Sequence, residues 1–216
     1  MPEFCKAERD GHILTVTMNR PQRMNALHSP SHFEMDEIFN DFESDPDLWV
    51  AIVTGAGDKA FSAGNDLKWQ AEGKKTEPPA SGFAGLVNRF NMKKPIIGAV
   101  NGLAMGGGFE VALACDIIIA AENAFFALPE PRVGLAALAG GLHRLSRQIP
   151  MKQAMGMILT GRRVMAEEGQ KLGFVTEVVP EGGALEGARR WAELISECSP
   201  VSIRTSKDVV LRGQDH

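Results

Sequence analysis

Three consecutive glycines, Gly106, Gly107 and Gly108, follow an apolar stretch and run directly into Phe109-Glu110-Val-Ala-Leu-Ala114. Without a Cβ, such a segment lets backbone approach backbone or a ligand. It also opens a helix, whose first N–H groups lack internal partners and point outward. Donors of that kind suit an anion, or an oxygen that becomes negative during a reaction. Glu110 sits within one turn of them. The same residues would equally suit a tight packing turn in which a first-turn acid satisfies the helix dipole. Further along, Leu128-Pro129-Glu130-Pro131-Arg132 holds a second acid between two prolines. Both prolines fix φ and neither donates a backbone hydrogen bond, so a stiff, non-helical segment presents the carboxylate. Alone, Glu130 reads as a surface-loop acid, and its spacing from Glu110 says nothing about proximity.

Other chemistries are less well supported. Gly55-Ala-Gly-Asp-Lys-Ala60 follows a strand and matches the dinucleotide pattern G-x-G-x-x-A. That pattern needs a helix directly after the glycines and an acid about 20 residues on. Here Phe61-Ser-Ala-Gly64 keeps turning, and Lys74-Lys75 stands where the acid is expected. There is no P-loop motif and no G-x-S-x-G elbow. His12, His28, His32, His143 and His216 have no metal-ligand spacing; Ser29-Pro30 interrupts any helix shared by His28 and His32, and all five read as surface or capping residues. No metal and no separate cofactor is expected. Cys5, Cys115 and Cys198 are three, sparse and without a CxxC pair, which fits a reducing compartment. A net charge of −4 without a basic run gives nucleic-acid binding little support. No apolar run approaches the ~18 residues of a membrane span, and the N-terminus has no signal-like stretch. The expected location is cytoplasmic.

The elements that must position the acids alternate. The 216 residues, 44% hydrophobic and 23% charged, favour one domain with an ordinary core. Residues 12–18 alternate and predict a strand. Residues 19–25 predict a loop, and Ser31 with Glu34 has the spacing of a capping box before a helix carrying Phe33, Ile38, Phe39 and Phe42. Strands are expected at 49–54, 96–100, 116–120 and 174–179, and a short helix over 109–114. Residues 70–85, rich in Gly, Lys and Pro, predict a mobile surface loop. From Gly141 onward the pattern is mainly helical. The fold class is therefore α/β, with helices covering a sheet.

Taken in order, Phe61-Ser-Ala-Gly-Asn-Asp-Leu67, Lys94-Pro-Ile-Ile-Gly-Ala-Val-Asn-Gly102, Gly106-Gly-Gly-Phe-Glu110, Ala114-Cys-Asp-Ile117 and Leu128-Pro-Glu130 resemble the successive motifs of the enoyl-CoA hydratase (crotonase) superfamily. Asn19-Arg-Pro21 with Asn25-Ala-Leu27, and Leu159-Thr-Gly161 with 166–173, extend the likeness over about residues 12–180. The resemblance implies a crotonase-like ββα spiral core over 1–180, with 181–216 beginning a C-terminal helical region that mediates trimers, or hexamers as dimers of trimers. It implies an acyl-CoA thioester substrate, with coenzyme A as part of the substrate. By position, the backbone N–H groups of Asn65 and Gly107 would form the oxyanion hole. CoA would lie along Gln22, Arg23 and Met24 and along Ala63, Asn65, Asp66, Leu67 and Lys68, with Lys68 near the nucleotide. Glu110 and Glu130 match the paired acids of hydratases. Two carboxylates sharing one water can act as base and acid when burial and repulsion separate their titrations. The implied reaction is hydration of a 2-enoyl-CoA or dehydration of a 3-hydroxyacyl-CoA. The alternatives are an enoyl-CoA isomerase, for which one carboxylate suffices, and a non-catalytic CoA-binding or assembly protein. Two departures stand out. Asn65 is larger than the small residue often found at its position, and the sequence stops at Asp215-His216, earlier than hydratases usually do. Residues 69–92, expected over the acyl group, carry no legible specificity.

Overall fold

Each apolar run becomes one strand of a doubled sheet that winds as a spiral. The structure, a computed structural model, describes residues 3–75 and 77–213. Three successive turns each contribute a long buried strand followed by a short one: β3 (Val50–Gly55) and β4 (Ala60–Ser62), β5 (Ile96–Val100) and β6 (Leu103–Met105), β7 (Ile117–Ala121) and β8 (Phe125–Ala127). The long strands lie parallel and adjacent, and so do the short ones in a second sheet. β3 and β5 are buried on both faces, as their unbroken apolar sequences require in a parallel sheet. No helix follows Gly55-Ala-Gly57; β4 does, so that segment turns the chain from one sheet into the other.

A hairpin, β1 (Cys5–Asp10) with β2 (Ile13–Met18), and β10 (Glu177–Val179) complete the first sheet in the order β1-β2-β3-β5-β7-β10; β9 (Val164–Met165) closes the second. β1 escapes a hydrophobic pattern search because it is an edge strand: only Cys5 is buried, and the charged residues after it blunt the edge. Of the expected strand over 174–179, only 177–179 pairs. Phe174 and Val175 instead donate their N–H groups to Gly169 O, closing the end of α6 (Ala166–Leu172).

α1 (Ser29–Ser44) begins earlier than the Ser31/Glu34 spacing suggests. His28 is its N-cap and exchanges hydrogen bonds with Ser31, so Ser31 is the third residue of the helix. Pro30 falls in the first turn, where its missing N–H costs no hydrogen bond; it starts the helix instead of interrupting it. Glu34 turns away and accepts from the N–H groups of Glu3, Phe4 and Cys5 at 2.8, 2.8 and 2.9 Å, pinning the start of β1. His28 is a cap but buried, and His32 is fully buried, so neither is a surface residue. The loop expected over 70–85 is shorter than its composition implies. α2 (Leu67–Ala71) occupies its beginning, and Gly82, Ala84 and Gly85 are buried against α1 through a 3-10 turn at Phe83–Gly85.

The main core lies between the sheets and α1, and includes Phe39, Phe42, Phe61, Phe109 and Phe126. A second core forms where Ala184, Ala188 and Ala192 of α7 (Ala184–Ser196) press on Ile52, Ile97 and Ile119. Small residues at helical spacing let α7 approach closely. α8 (Pro200–Gly213) buries no residue; Lys207 ties it down by donating to Lys94 O at 2.9 Å and to Asp116 at 2.7 Å. Asp215 and His216 lie outside the described residues. No helix among the described residues is long and apolar enough to cross a membrane.

Candidate active site

The glycine turn after β6 brings two separate backbone donors together. Gly106 takes φ +53°, and its N–H donates to Ala127 O of β8, so the chain leaves the second sheet at a fixed angle into α3 (Gly107–Ala114). Gly107 opens that helix, and its N–H makes no hydrogen bond among the described residues. Asn65 arrives from the preceding spiral turn. Leu27 pairs with this segment by donating to Gly64 O at 2.7 Å and accepting from Asp66 N at 2.8 Å. In extended chain, successive backbone groups face opposite ways; the bridge uses the Gly64 carbonyl and the Asp66 N–H on either side of Asn65 and leaves the Asn65 N–H facing away, without a partner among the described residues. Gly64 sits between the two donors. A Cβ there would lie 2.7 Å from Met105 O and 2.8 Å from Gly107 N, and φ is +83°. Only glycine permits that approach. Gly64, within the Ala63–Lys68 stretch, is a candidate site residue whose place between the two donors the sequence alone does not reveal.

The two acids flank the helix start differently, Glu110 within α3 and Glu130 against Gly106. Glu110 lies one turn into α3, 3% exposed, and its Oε1 accepts the Gly141 N–H at 2.8 Å. Gly141 is the first residue of α4 (Gly141–Gln148), so a second helix N-terminus is aimed at this carboxylate. Burial still dominates: the Glu110 pKa rises to about 7, with the negative charge of Glu130 adding and the N–H groups of Gly141 and Ala139 opposing. Glu130 comes from the other side. Its Oε1 stands 3.0 Å from where a Cβ on Gly106 would be, and its buried Oε2 has no hydrogen-bond partner among the described residues. Burial holds its pKa above the ordinary carboxylate value. The segment Glu130–Val133 is a 3-10 turn and not the non-helical loop that two prolines suggest. Pro131 sits in its first turn, where its φ already suits a helix.

A raised carboxylate pKa is a stability term as well. Ionising Glu110 opposes folding, so stability is greatest below the unfolded pKa of about 4.5 and falls as pH rises through 7. Glu110→Gln keeps an acceptor for Gly141 and removes the charge. The variant should therefore unfold later than the wild type at pH 8, by on the order of 2–3 kcal/mol, with the gain vanishing near pH 4. Urea unfolding at both pH values measures it.

The Asn65 segment is held by a buried ion pair. Arg20 Nη2 donates to Asp66 Oδ2 at 2.9 Å, and Arg20 Nη1 donates to Ala26 O. Asp66 Oδ1 accepts from the N–H groups of Lys68 and Trp69, capping α2. Burial pushes the Asp66 pKa up, but the Trp69 N–H and Arg20 outweigh it and leave it below its usual value. Both oxygens are thus engaged inward, and Asp66 offers no free carboxylate to a ligand. Asn25 (φ +51°) accepts the Arg20 N–H and donates to Ala56 O and Ala60 O, closing the same knot. Removing one partner of a buried pair strands the other charge. Asp66→Ala should cost about 3–5 kcal/mol, read as a lower urea midpoint.

The remaining candidate residues form one outer rim. Ala63 N donates to Met24 O at 2.9 Å, which brings the turn Gln22, Arg23, Met24 beside Ala63–Lys68. Gln22, Arg23, Met24, Leu67 and Lys68 are exposed, Met24 by 40% and Leu67 by 57%, so two apolar side chains face solvent next to Asn65. The Asn65 side chain donates to Gln70 at 3.4 Å while its Oδ1 is buried without a partner among the described residues. Phe83, also unread from sequence, lies over Gly107: a Cβ on Gly107 would be 2.6 Å from its ring.

Parallel strands wound in ββα turns, with two acids at a glycine-opened helix, define the class as the crotonase fold. A family profile described as enoyl-CoA hydratase/isomerase matches residues 8–215. The carnitinyl-CoA dehydratase of Escherichia coli strain K12 is 45% identical over 211 residues, which cover 97% of this chain and 80% of that protein. The crystal structure of carnitinyl-CoA hydratase from Mycobacterium avium superimposes with a TM-score of 0.93 at 41% identity, covering 96% of this chain and 80% of that one. Enoyl-CoA hydratase from Mycobacterium tuberculosis H37Rv gives a TM-score of 0.94 at 36% identity, covering 100% and 84%. The chain belongs to the enoyl-CoA hydratase/isomerase family, and within it is an enzyme of the hydratase/dehydratase, or hydro-lyase, type.

Proposed function

We propose that the enzyme adds water across the 2,3 bond of a 2-enoyl-CoA, and removes it from the corresponding 3-hydroxyacyl-CoA, through Glu110 and Glu130. The observation that carries this reading is a pair of carboxylates with raised pKa values, Glu110 within α3 and under the charge of Glu130, and Glu130 against Gly106, beside N–H groups at Gly107 and Asn65 that have no partner among the described residues. The thioester oxygen lies between those two donors, which stabilise the charge it gains as the β-carbon is attacked. One carboxylate, ionised, takes a proton from the shared water; the other, protonated, supplies the α-carbon. In the dehydration direction the roles reverse. Coenzyme A runs along the rim of Gln22, Arg23, Met24, Ala63, Leu67 and Lys68, with the Lys68 ammonium towards its phosphates, and no further cofactor takes part.

The 45% identity to carnitinyl-CoA dehydratases makes a carnitinyl thioester the first 3-hydroxyacyl group to test. Its quaternary ammonium would call for an aromatic side chain, and the Phe83 ring lies beside Gly107. Offering carnitinyl-CoA, a plain 3-hydroxybutyryl-CoA, a 2-enoyl-CoA and a 3-enoyl-CoA, and following water loss or gain by absorbance, tests the assignment. Water exchange at the 2,3 bond is expected. Conversion of the 3-enoyl substrate alone would assign an isomerase, for which a single acid suffices.

Self-association into trimers, or hexamers built from them, is part of the same proposal. Met151, Met155 and Leu159 form an exposed apolar stripe along α5 (Met151–Thr160), and Leu135 and Leu138 are exposed as well. An exposed apolar surface of this kind marks an interface. The three sparse, unpaired cysteines fit a cytoplasmic setting.

A further inference from the structure

His32 of α1 is fully buried and takes no part in the chemistry above. Its Nδ1 stands 3.0 Å from the backbone nitrogen of Ala84. That N–H donates, so Nδ1 is unprotonated and the neutral ring carries its proton on Nε2. Burial keeps the ring neutral, lowering its pKa to about 4, with His28 contributing. Nε2 itself has no hydrogen-bond partner among the described residues. An orphaned buried donor loses its hydration without compensation, so histidine is a poor filler at this place. Leucine would pack without that cost. What histidine supplies, and leucine does not, is the acceptor for Ala84.

Ala84 needs it. It adopts φ +57° in a turn flanked by Gly82 at +85° and Gly85 at +60°, and a non-glycine residue in that region is strained. The strained turn aims Phe83. Its ring packs on His32 with centroids 4.4 Å apart, and its far edge touches Gly107. Contact therefore runs from His32 through Ala84 and Phe83 to a proposed oxyanion donor.

We propose that His32 is a positioning residue: by accepting the Ala84 N–H it holds the Phe83 ring as a wall of the acyl site beside Gly107, and so limits which acyl groups are accepted. The inference rests on the reading of Gly107 as an oxyanion donor. Asparagine at position 32 keeps an acceptor where Nδ1 stands; leucine does not. His32→Leu should raise the ratio of kcat/KM for a ten-carbon over a four-carbon 2-enoyl-CoA by about tenfold, the scale on which an apolar pocket discriminates. His32→Asn should keep the wild-type ratio, and the affinity for free CoA should not change in either. Phe83→Ala should move the ratio in the same direction without touching His32. If Phe83→Ala shifts the ratio and His32→Leu does not, or if His32→Asn shifts it as much as His32→Leu, the positioning role is wrong while the acyl-site reading stands. If neither His32→Leu nor Phe83→Ala shifts it, the wall is elsewhere and the site reading fails as well. Long-range proton–nitrogen NMR of the imidazole gives a readout independent of turnover: Nε2 should be the protonated nitrogen at neutral pH, and protonation at Nδ1 would overturn the proposal.

Discussion

Glu110→Gln and Glu130→Gln should each lower kcat for hydration by about 10²–10⁴-fold, the range over which positioned acid–base groups contribute. Both substitutions preserve size and a hydrogen-bonding oxygen. The amide introduced at position 110 can still accept from Gly141, so α3 and α4 keep their relation, and an amide at position 130 leaves the 3-10 turn intact. What each substitution removes is the ability to exchange a proton with the shared water. The proposed coenzyme A contacts are the rim residues around Met24 and Lys68, remote in sequence from the acids, so CoA affinity should stay within about twofold. Steady-state kinetics with a 2-enoyl-CoA, alongside a CoA binding isotherm, separates the two quantities. Unchanged turnover in either variant would rule out the two-acid mechanism. The same Glu110→Gln protein is expected to be the more stable one at pH 8, so its loss of rate cannot be ascribed to unfolding.

Gly64→Ala should lower kcat/KM by about 10²–10³-fold, the usual loss when one oxyanion donor is displaced, equivalent to about 3–4 kcal/mol of barrier. Its new methyl would meet Met105 O at 2.7 Å and Gly107 N at 2.8 Å. Both are backbone atoms at the junction of β6 and α3, and neither can swing aside as a side chain would. The residue is also held at φ +83°, so the backbone must shift whichever contact relaxes. A shift at Gly64 carries the N–H of Asn65 with it. Since Asp66, anchored by Arg20, resists that movement, part of the strain should also appear as a lower unfolding midpoint. Wild-type kcat/KM in Gly64→Ala would mean that the donors at Asn65 and Gly107 do not act together.

Much of this site was legible in the sequence, for physical reasons that differ from part to part. The strands of the spiral are doubly buried and so read as unbroken apolar runs. Gly106–Gly108 before Glu110 announces a helix start with free donors. Glu130 was legible as a site residue only through the ordered motifs around it, because a carboxylate between prolines suits a loop as well as it suits the first turn of a 3-10 helix. The short strands β6 and β8 were missed because three residues carry no periodicity, and β1 because an edge strand has no apolar face to display. Ser31 and Glu34 had capping-box spacing, yet His28 caps the helix and Glu34 serves the N-terminus; two hydrogen-bonding networks competed for the same side chains, and distance along the chain could not rank them. Gly64, Arg20 and Phe83 act through contacts between spiral turns that are far apart along the chain, which only the folded arrangement brings together.

A crystal structure of Glu110→Gln with a 2-enoyl-CoA bound tests the central claim most directly. The thioester oxygen should lie about 2.7–3.1 Å from the backbone nitrogens of both Asn65 and Gly107, with one water molecule at the β-carbon in contact with Glu130 and with the amide at position 110. A thioester oxygen turned away from either nitrogen, or side chains at 110 and 130 that reach no common water, would contradict it.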